Sequence, residues 1–417
     1  MGKRIIFHID VNSAYLSWEA ICRLQRGDSI DLREIPSAVG GDPSTRHGII
    51  LAKSIPAKKY KIQTGETLFS AKMKCPELII VPPNYELYMK CSLAMLEILK
   101  EYSPCIQRFS IDECFLDYTN MENHFGEPIK AAHKIKDRIK KELGFTVNIG
   151  ISTNKLLAKM ASELEKPDKV HTIFPEEISE KMWTLPVGDL FMVGRATLAK
   201  LQNYAICTIG DLAKTDPQFL KRLLKSHGIL IWNYANGYDN TPVKDNATIP
   251  IKGIGNSTTT AFDVDNLREA KMVLLSLVET VAARLRQNNY STQLISVSFR
   301  TNEFFSYGHQ RKLHTTTNST NQIYQIVCQL FKEIWQGQPI RHLGVRVGEL
   351  CSNDFEQIAL FAGNLEKERS LDKAIDKIRA KYGSKALFRS TFLQSGIKEI
   401  AGGVIQEEDY PMMSSLL

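Results

Sequence analysis

Apolar residues run almost unbroken from Arg4 to Ile9, in RIIFHI, and stop at Asp10. Such a run predicts a short buried strand, with the acid standing at its carboxyl end. Asn12 or Ser13 is placed to cap a helix that carries Tyr15, Trp18 and Ile21. A compact lysine-rich stretch follows, with six lysines against one glutamate between 50 and 74. Next come a strand-like LIIVPP, a helix near Tyr85 to Glu101, and FSIDECFLD at 109–117, where two adjacent acids interrupt a run otherwise suited to a buried strand. Ile129 to Glu142 reads as a basic helix, TVNIGIS as a strand and Asn154 to Glu165 as a helix. A mixed sheet covered by helices accounts for residues 1–12 and 76–165, with the lysine-rich unit inserted between.

The pattern changes after Lys166-Pro167-Asp168. LPVGDLFMVGRATLAKLQNYAICTIGDLA reads as short helices joined by glycine turns, and 238–256, rich in Pro, Gly, Asn and Thr, reads as a linker. Beyond it, Leu267 to Leu285 and Gln322 to Trp335 have helical spacing while LISVSFRT and RHLGVRVGEL read as strands, which makes a smaller α+β domain. The charge-rich LEKERSLDKAIDKIRAKYG is helical, and the end, EEDYPMMSSLL, is expected to be mobile.

Composition adds bounds. A chain of 417 residues suggests two to four domains, and 43% apolar with 24% charged residues gives no case for wholesale disorder. The formal charge of +7 is a modest bias toward anionic partners, and the segment 241–350 holds 12 Lys/Arg against 8 Asp/Glu. Eight scattered cysteines show no C-x-x-C pair and no zinc spacing, so reduced thiols in a cytosolic, cytoplasmic chain are expected. The apolar run at the start is too short for a signal peptide, position 6 is Ile rather than the Ser or Thr of a myristoylation site, and no stretch has the length of a membrane helix.

The acids carry the chemistry. Taken singly, Asp10, Asp112 or Glu113 is an ordinary cap or ion-pair partner. Adjacent strand residues point to opposite faces, so Asp112 and Glu113 share a site only where the backbone turns between them. Three carboxylates at one point would need positive charge among them, and bound Mg²⁺ supplies it. Two such ions roughly 4 Å apart are the common arrangement for in-line phosphoryl chemistry. Lys58 in SIPAKKYKIQTG and Lys159 in NKLLAKMAS are lysines suited to holding the triphosphate.

Taken together, HIDVNSAYLSWEA, SIPAKKYKIQTG, FSIDECFLD, NIGISTNKLLAKMASELEKP and LRQNNYSTQLISVSFR resemble the Y-family translesion DNA polymerases on their UmuC-like and DinB-like bacterial side. The resemblance covers about residues 3 to 400. It implies an α/β and α+β multidomain right hand: palm at 1–12 and 76–166, fingers at 13–75, a helix-hairpin-helix-like thumb at 167–240, a linker at 241–249, a little finger at 250–350 and a tail at 351–417. It further implies that Asp10, Asp112 and Glu113, with the backbone carbonyl of Val11, bind two Mg²⁺ ions. Tyr15 takes the place of the aromatic that rejects a 2′-hydroxyl, and Lys159 that of a palm lysine assisting the triphosphate. Ile55 and Lys58 stand where the family often has the Tyr and Arg of Y-E-A-R, so the fingers keep a charge but lose a planar fork, with Lys53 or Lys59 able to share the load.

Duplex contacts are expected from Gly194 and Arg195 of the thumb and from Arg284, Arg286, Arg300, Arg341 and Arg346 of the little finger, next to the hydroxyl-rich NSTTTAFD. Gln357-Ile358-Ala359-Leu360-Phe361 resembles the bacterial sliding-clamp-binding pentapeptide, with Gln357, Leu360 and Phe361 as its anchors. The implied activity is low-fidelity primer extension from dNTPs past damaged template bases, without proofreading, by a monomer that docks on the clamp and not on a membrane. Two other readings stay open: an inactive DNA-binding scaffold of the same fold, and a metal-dependent nuclease or cyclase on a palm-like sheet.

Overall fold

Five of the six residues of the first strand, β1 (Ile6–Val11), are buried, because it lies in the middle of a sheet covered on both faces. Phe7, Ile9 and Val11 enter the main core on one face, and the other face carries Ile6, His8 and Asp10. The computed structural model describes residues 4–42, 46, 48–244, 251–353, 365–393, 395–397 and 399. Described residues up to 40 and from 50 to 244 form one unit, and those from 251 onward, with the segment 41–49, form a second.

The first unit continues with α1 (Ala14–Gln25), β2 (Ser37–Gly40), β3 (Ile50–Lys53), α2 (Ile55–Lys59), α3 (Leu68–Lys74), β4 (Ile79–Val81) and α4 (Tyr85–Lys100). Then come β5 (Ile106–Arg108), β6 (Glu113–Asp117), α5 (Glu122–Phe125), α6 (Pro128–Leu143), β7 (Val147–Ser152), α7 (Lys155–Glu163) and β8 (Val170–Thr172). The palm sheet has the order β5-β6-β1-β7-β8. Tyr88, Met95 and Leu99 of α4 and Ala132, Ile135 and Ile139 of α6 fill the core on one face, and α7 packs on the other. Gly150 of β7 permits the close approach of α7: a Cβ there would lie 2.0 Å from the Ala158 carbonyl oxygen and 2.4 Å from the Ser162 nitrogen.

LIIVPP does form a strand, but β4 pairs in parallel with β2 in a separate three-stranded sheet, β3-β2-β4, and not with the palm strands. The palm sheet therefore takes its strands from β1 and from residues beyond 105, because a three-residue strand is assigned by its pairing partner and not by its own pattern. α2 opens with Ser54 accepting from the Ala57 nitrogen at 3.1 Å and a proline in the first turn. Four short helices, α8 (Arg195–Gln202), α9 (Ile209–Lys214), α10 (Pro217–Leu224) and α11 (Ser226–Ala235), then share one core around Leu201, Ile209, Leu220 and Ile231.

The second unit is built from β9 (Gly253–Val264), α12 (Leu267–Gln287), β10 (Tyr290–Thr301), β11 (Ser306–Thr317), α13 (Thr320–Ile334), β12 (Ile340–Ser352) and α14 (Leu365–Tyr382). Its antiparallel sheet has the order β11-β10-β12-β9. Ile254, Ile295, Val297, Phe299, Leu343, Val345 and Val347 bury one face against α12 and α13. Residues 253–256, which read as linker, begin β9, whose glycines and hydroxyls hide the strand periodicity. Gln357, Leu360 and Phe361, and the acidic end from 407, lie outside the described residues.

Candidate active site

The Asp112-Glu113 pair lies where a hairpin turn meets a strand, Asp112 as the last residue of the turn and Glu113 as the first of β6. Ser110 to Asp112 bend between β5 and β6, and the Glu113 carbonyl accepts from the Phe109 and Ser110 nitrogens at 3.0 and 3.1 Å. The required turn is therefore present at the step from Asp112 to Glu113. The Val11 nitrogen donates to the Asp112 carbonyl at 3.0 Å, and Asp10 stands opposite Glu113 in the β1–β6 register.

Asp10 and Asp112 line one cleft of about 560 Å³ with Val11, Tyr15, Lys53, Ile55, Lys58, Thr64 and Lys166. Burial pushes the Asp10 carboxyl up, partly offset by the Lys166 ammonium, which pairs with it. Burial also raises Asp112, whose carboxylate accepts from the Ser110 hydroxyl at 2.5 Å while Glu113 repels it. Glu113 behaves oppositely. Burial pushes it up, but the His8 hydrogen bond and the Lys159 ammonium outweigh that and hold it below the ordinary carboxylate range. Among the described residues no three His, Cys, Asp or Glu side chains are already gathered as a metal site. The expected convergence is thus half formed: Asp10 and Asp112 share the cleft, and Glu113 is drawn to His8 and Lys159.

The donor set nonetheless fits a hard divalent cation. Its members are all oxygen, two of its carboxylates are desolvated anions short of positive charge, and an ammonium rests on one of them where a cation is wanted. Tyr15 lies in the cleft with its ring stacked on Tyr88 at 4.4 Å, and the Tyr88 hydroxyl donates to Glu19 at 3.0 Å, which fixes the pair. Lys58, in the last turn of α2, reaches the same cleft, as does Lys53, whose ammonium burial and then Lys58 push down.

Lys159 does not line the cleft. Its ammonium pairs with Glu113 and lies 5.2 and 5.6 Å from the ring centres of Phe109 and Phe191, which places it behind the acids. Lys166 occupies the position at the cleft that was expected of Lys159, and the sequence reading missed it although it stands in the same NKLLAKMASELEKP stretch. His8 was missed too; two residues before Asp10 on a strand, it had to share that residue's face.

In the thumb, Gly194 caps α8 with open space around it, and Arg195 begins the helix; both are exposed. In the second unit the five arginines divide. Arg300 and Arg346 stand on the sheet face that the helices leave open, in cross-strand rows with Ser306, His342, Ser296 and Gly255. Arg341 stands at the start of β12, stacked on Phe304 at 5.4 Å. Arg284 and Arg286 are on α12, which covers the other face. Arg286 is fixed within the protein by Asp376 at 2.6 Å, Asp372 at 3.4 Å and the Asn318 carbonyl at 2.9 Å, and burial lowers Arg284. The expectation of a duplex contact at Arg286 is corrected on that ground.

Family models match both units: the impB/mucB/samB family over residues 9–163 and its C-terminal domain over 251–360. The chain is 48% identical to the DNA polymerase IV of Clostridium acetobutylicum over 94% of its length and 99% of the relative's. It is 40% identical to the DNA polymerase IV of Acetivibrio thermocellus, with 94% and 98% covered, and 35% identical to DNA polymerase IV 2 of Bacillus subtilis, with 94% and 95% covered. Among solved structures, a Y-family DNA polymerase chimera superposes with a TM-score of 0.72 at 21% identity, covering 84% of this chain and all of the chimera, a likeness of fold. With both of its characteristic segments in order and relatives aligned over nearly their whole length, the chain belongs to the impB/mucB/samB family.

Proposed function

We propose that this protein is a translesion DNA polymerase that extends a primer on damaged template from dNTPs. The observation that carries the reading is the cleft in which Asp10 and Asp112 face an aromatic floor, Tyr15, and a rim of lysines, Lys53, Lys58 and Lys166. Full-length likeness to proteins named DNA polymerase IV supports it over an inactive scaffold or a nuclease or cyclase.

Asp10, Asp112 and Glu113, with the Val11 carbonyl, would hold two Mg²⁺ ions, which supply activation of the primer hydroxyl and stabilisation of the departing pyrophosphate. The chain's own residues do the rest. Lys53, Lys58 and Lys166 neutralise the triphosphate as point charges, a looser grip than an arginine fork gives. Tyr15, backed by Tyr88, closes the space that a 2′-hydroxyl would need. Gly194 and Arg195 meet the duplex backbone through open helix nitrogens and a cation, and Arg300, Arg341 and Arg346 meet it from the open sheet face without reading sequence. Gln357, Leu360 and Phe361 dock on the bacterial sliding clamp, and the enzyme is a monomer away from it.

Primer extension across defined lesions, with each dNTP in turn, tests the reading. Extension that needs Mg²⁺ and disappears in Asp112→Asn supports it; cleavage of the template, or DNA binding without extension, refutes it. A peptide of residues 355–363 that fails to compete with the full chain for the clamp removes the docking assignment alone.

A further inference from the structure

His8 is wholly buried, and both of its ring nitrogens are engaged. Nδ1 lies 2.8 Å from the Ser162 hydroxyl and Nε2 lies 2.9 Å from Oε2 of Glu113. The partners select the tautomer: a carboxylate oxygen only accepts, so the ring proton sits on Nε2 and Nδ1 accepts from Ser162. The single Ser162 hydroxyl proton is shared between Nδ1 and the Lys159 carbonyl, which lies 2.7 Å away and one turn earlier on α7 and keeps the oxygen beside the ring. Ser162 can reach the strand only because Gly150, the register partner of His8 on β7, has no side chain. Phe115, 4.8 Å away and tilted, walls the ring in.

Both donors to Glu113 act on the same atom. His8 Nε2 and the Lys159 ammonium each bond Oε2, while Oε1 has no hydrogen-bond partner among the described residues. The carboxylate is thereby turned into a one-oxygen ligand with a fixed plane, and an unpinned glutamate would rotate between one- and two-oxygen binding.

We propose that His8, held by Ser162, is a positioning residue for nucleotidyl transfer: it fixes Oε2 of Glu113 so that only Oε1 is presented to a divalent cation. The inference rests on the polymerase reading above. It makes a distinction that a purely structural role for a buried histidine does not. A glutamine at 8 ends its amide where Nε2 lies and keeps the donor to Glu113, whereas an asparagine ends near Nδ1 and reaches only Ser162.

His8→Gln, His8→Asn, His8→Leu and Ser162→Ala are compared by calorimetric titration of Mn²⁺ into the complex with dideoxy-terminated primer–template and dNTP, and by single-nucleotide incorporation. His8→Gln should stay within about threefold of the parent, while His8→Asn and His8→Leu lose about tenfold or more in both Mn²⁺ affinity and kcat with the KM for dNTP changed less than about twofold. Ser162→Ala should fall between them. Equal losses in the Gln and Asn variants, or a KM that rises as kcat falls, would overturn the proposal. Should the His8 variants not fold, an unchanged Mn²⁺ affinity and kcat in Ser162→Ala overturns it instead. A parent that takes up no Mn²⁺ and extends no primer brings down the polymerase reading, and this inference with it.

Discussion

Asp112 in the first unit and Glu279 in the second are both carboxylates withdrawn from water, and the protein treats them in opposite ways. Glu279, 4% exposed on α12, is bound by Arg379 at 2.7 Å and Arg389 at 2.6 Å. Burial raises its carboxyl, but the two guanidiniums prevail and hold it below the usual range. Asp112 has only the Ser110 hydroxyl and no ion pair among the described residues, and it is pushed up. A structural anion is closed off by planar forks that saturate it. A functional one is left short of charge, flanked by lysines that can let go. The cleft is therefore the place where the fold tolerates unmet electrostatic demand, as expected of a site waiting for cations and a polyphosphate.

The sharpest way to break this contrast is to neutralise each anion. Asp112→Asn should lower kcat by at least about 1,000-fold, because a proposed metal ligand is lost. Its melting temperature should hold or rise, since the change relieves the burial of an unpaired charge. A fall in both activity and melting temperature would place Asp112 in the same class as Glu279. Glu279→Gln should do the reverse, destabilising the second unit by about 3 kcal/mol because the buried Arg379 and the half-buried Arg389 lose their anion, and leaving the chemistry of the cleft untouched. The sign with pH follows from the depressed carboxyl: its contribution is present above the unfolded value near about 4.3 and is lost as pH falls through the lower folded value. Calorimetry from pH 6 to pH 3 should show the second unit melting progressively earlier in the parent, and much less so in Glu279→Gln.

Smaller effects sharpen the map of the cleft and of the open sheet. Tyr15→Ala should weaken discrimination against ribonucleotides by about 100-fold in the ratio of kcat/KM values, because a void replaces the ring stacked on Tyr88. Unchanged sugar discrimination would remove Tyr15 from that role. Arg346→Ala should weaken duplex binding about fivefold and reduce the salt slope by about 1, whereas Arg284→Ala, on the helix face, should leave that slope unchanged.

The first strand, the thumb helices and the two central strands of the second unit were legible because each pairs a clear period with an interrupting residue, whereas the turn at Asp112 stood in the sequence only as a condition on two adjacent acids sharing a site. β9 and β11 were not. Both carry hydroxyls and glycine, β11 adds cations and is mostly exposed, and alternation that marks a half-buried strand is nearly absent. Arg286 reads as an exposed helix cation until α14 is seen to bring Asp372 and Asp376 to it from some ninety residues further along the chain. Lys159 and Lys166 are equivalent as lysines in one motif; which of them reaches the cleft depends on where α7 ends, a boundary that spacing does not fix. His8 was within reach of the two-residue strand period, and the signal was passed over because a lone histidine in an apolar run usually serves the core.

Rapid-quench incorporation of one dNTP on a primer–template, followed as Mg²⁺ is titrated from a chelated start, addresses the central claim most directly. The account predicts no product in chelator, a rise with Mg²⁺ in the parent, and a flat baseline in Asp112→Asn at every concentration. Product formed without a divalent cation, or an Asp112→Asn curve that overlies the parent, would contradict it.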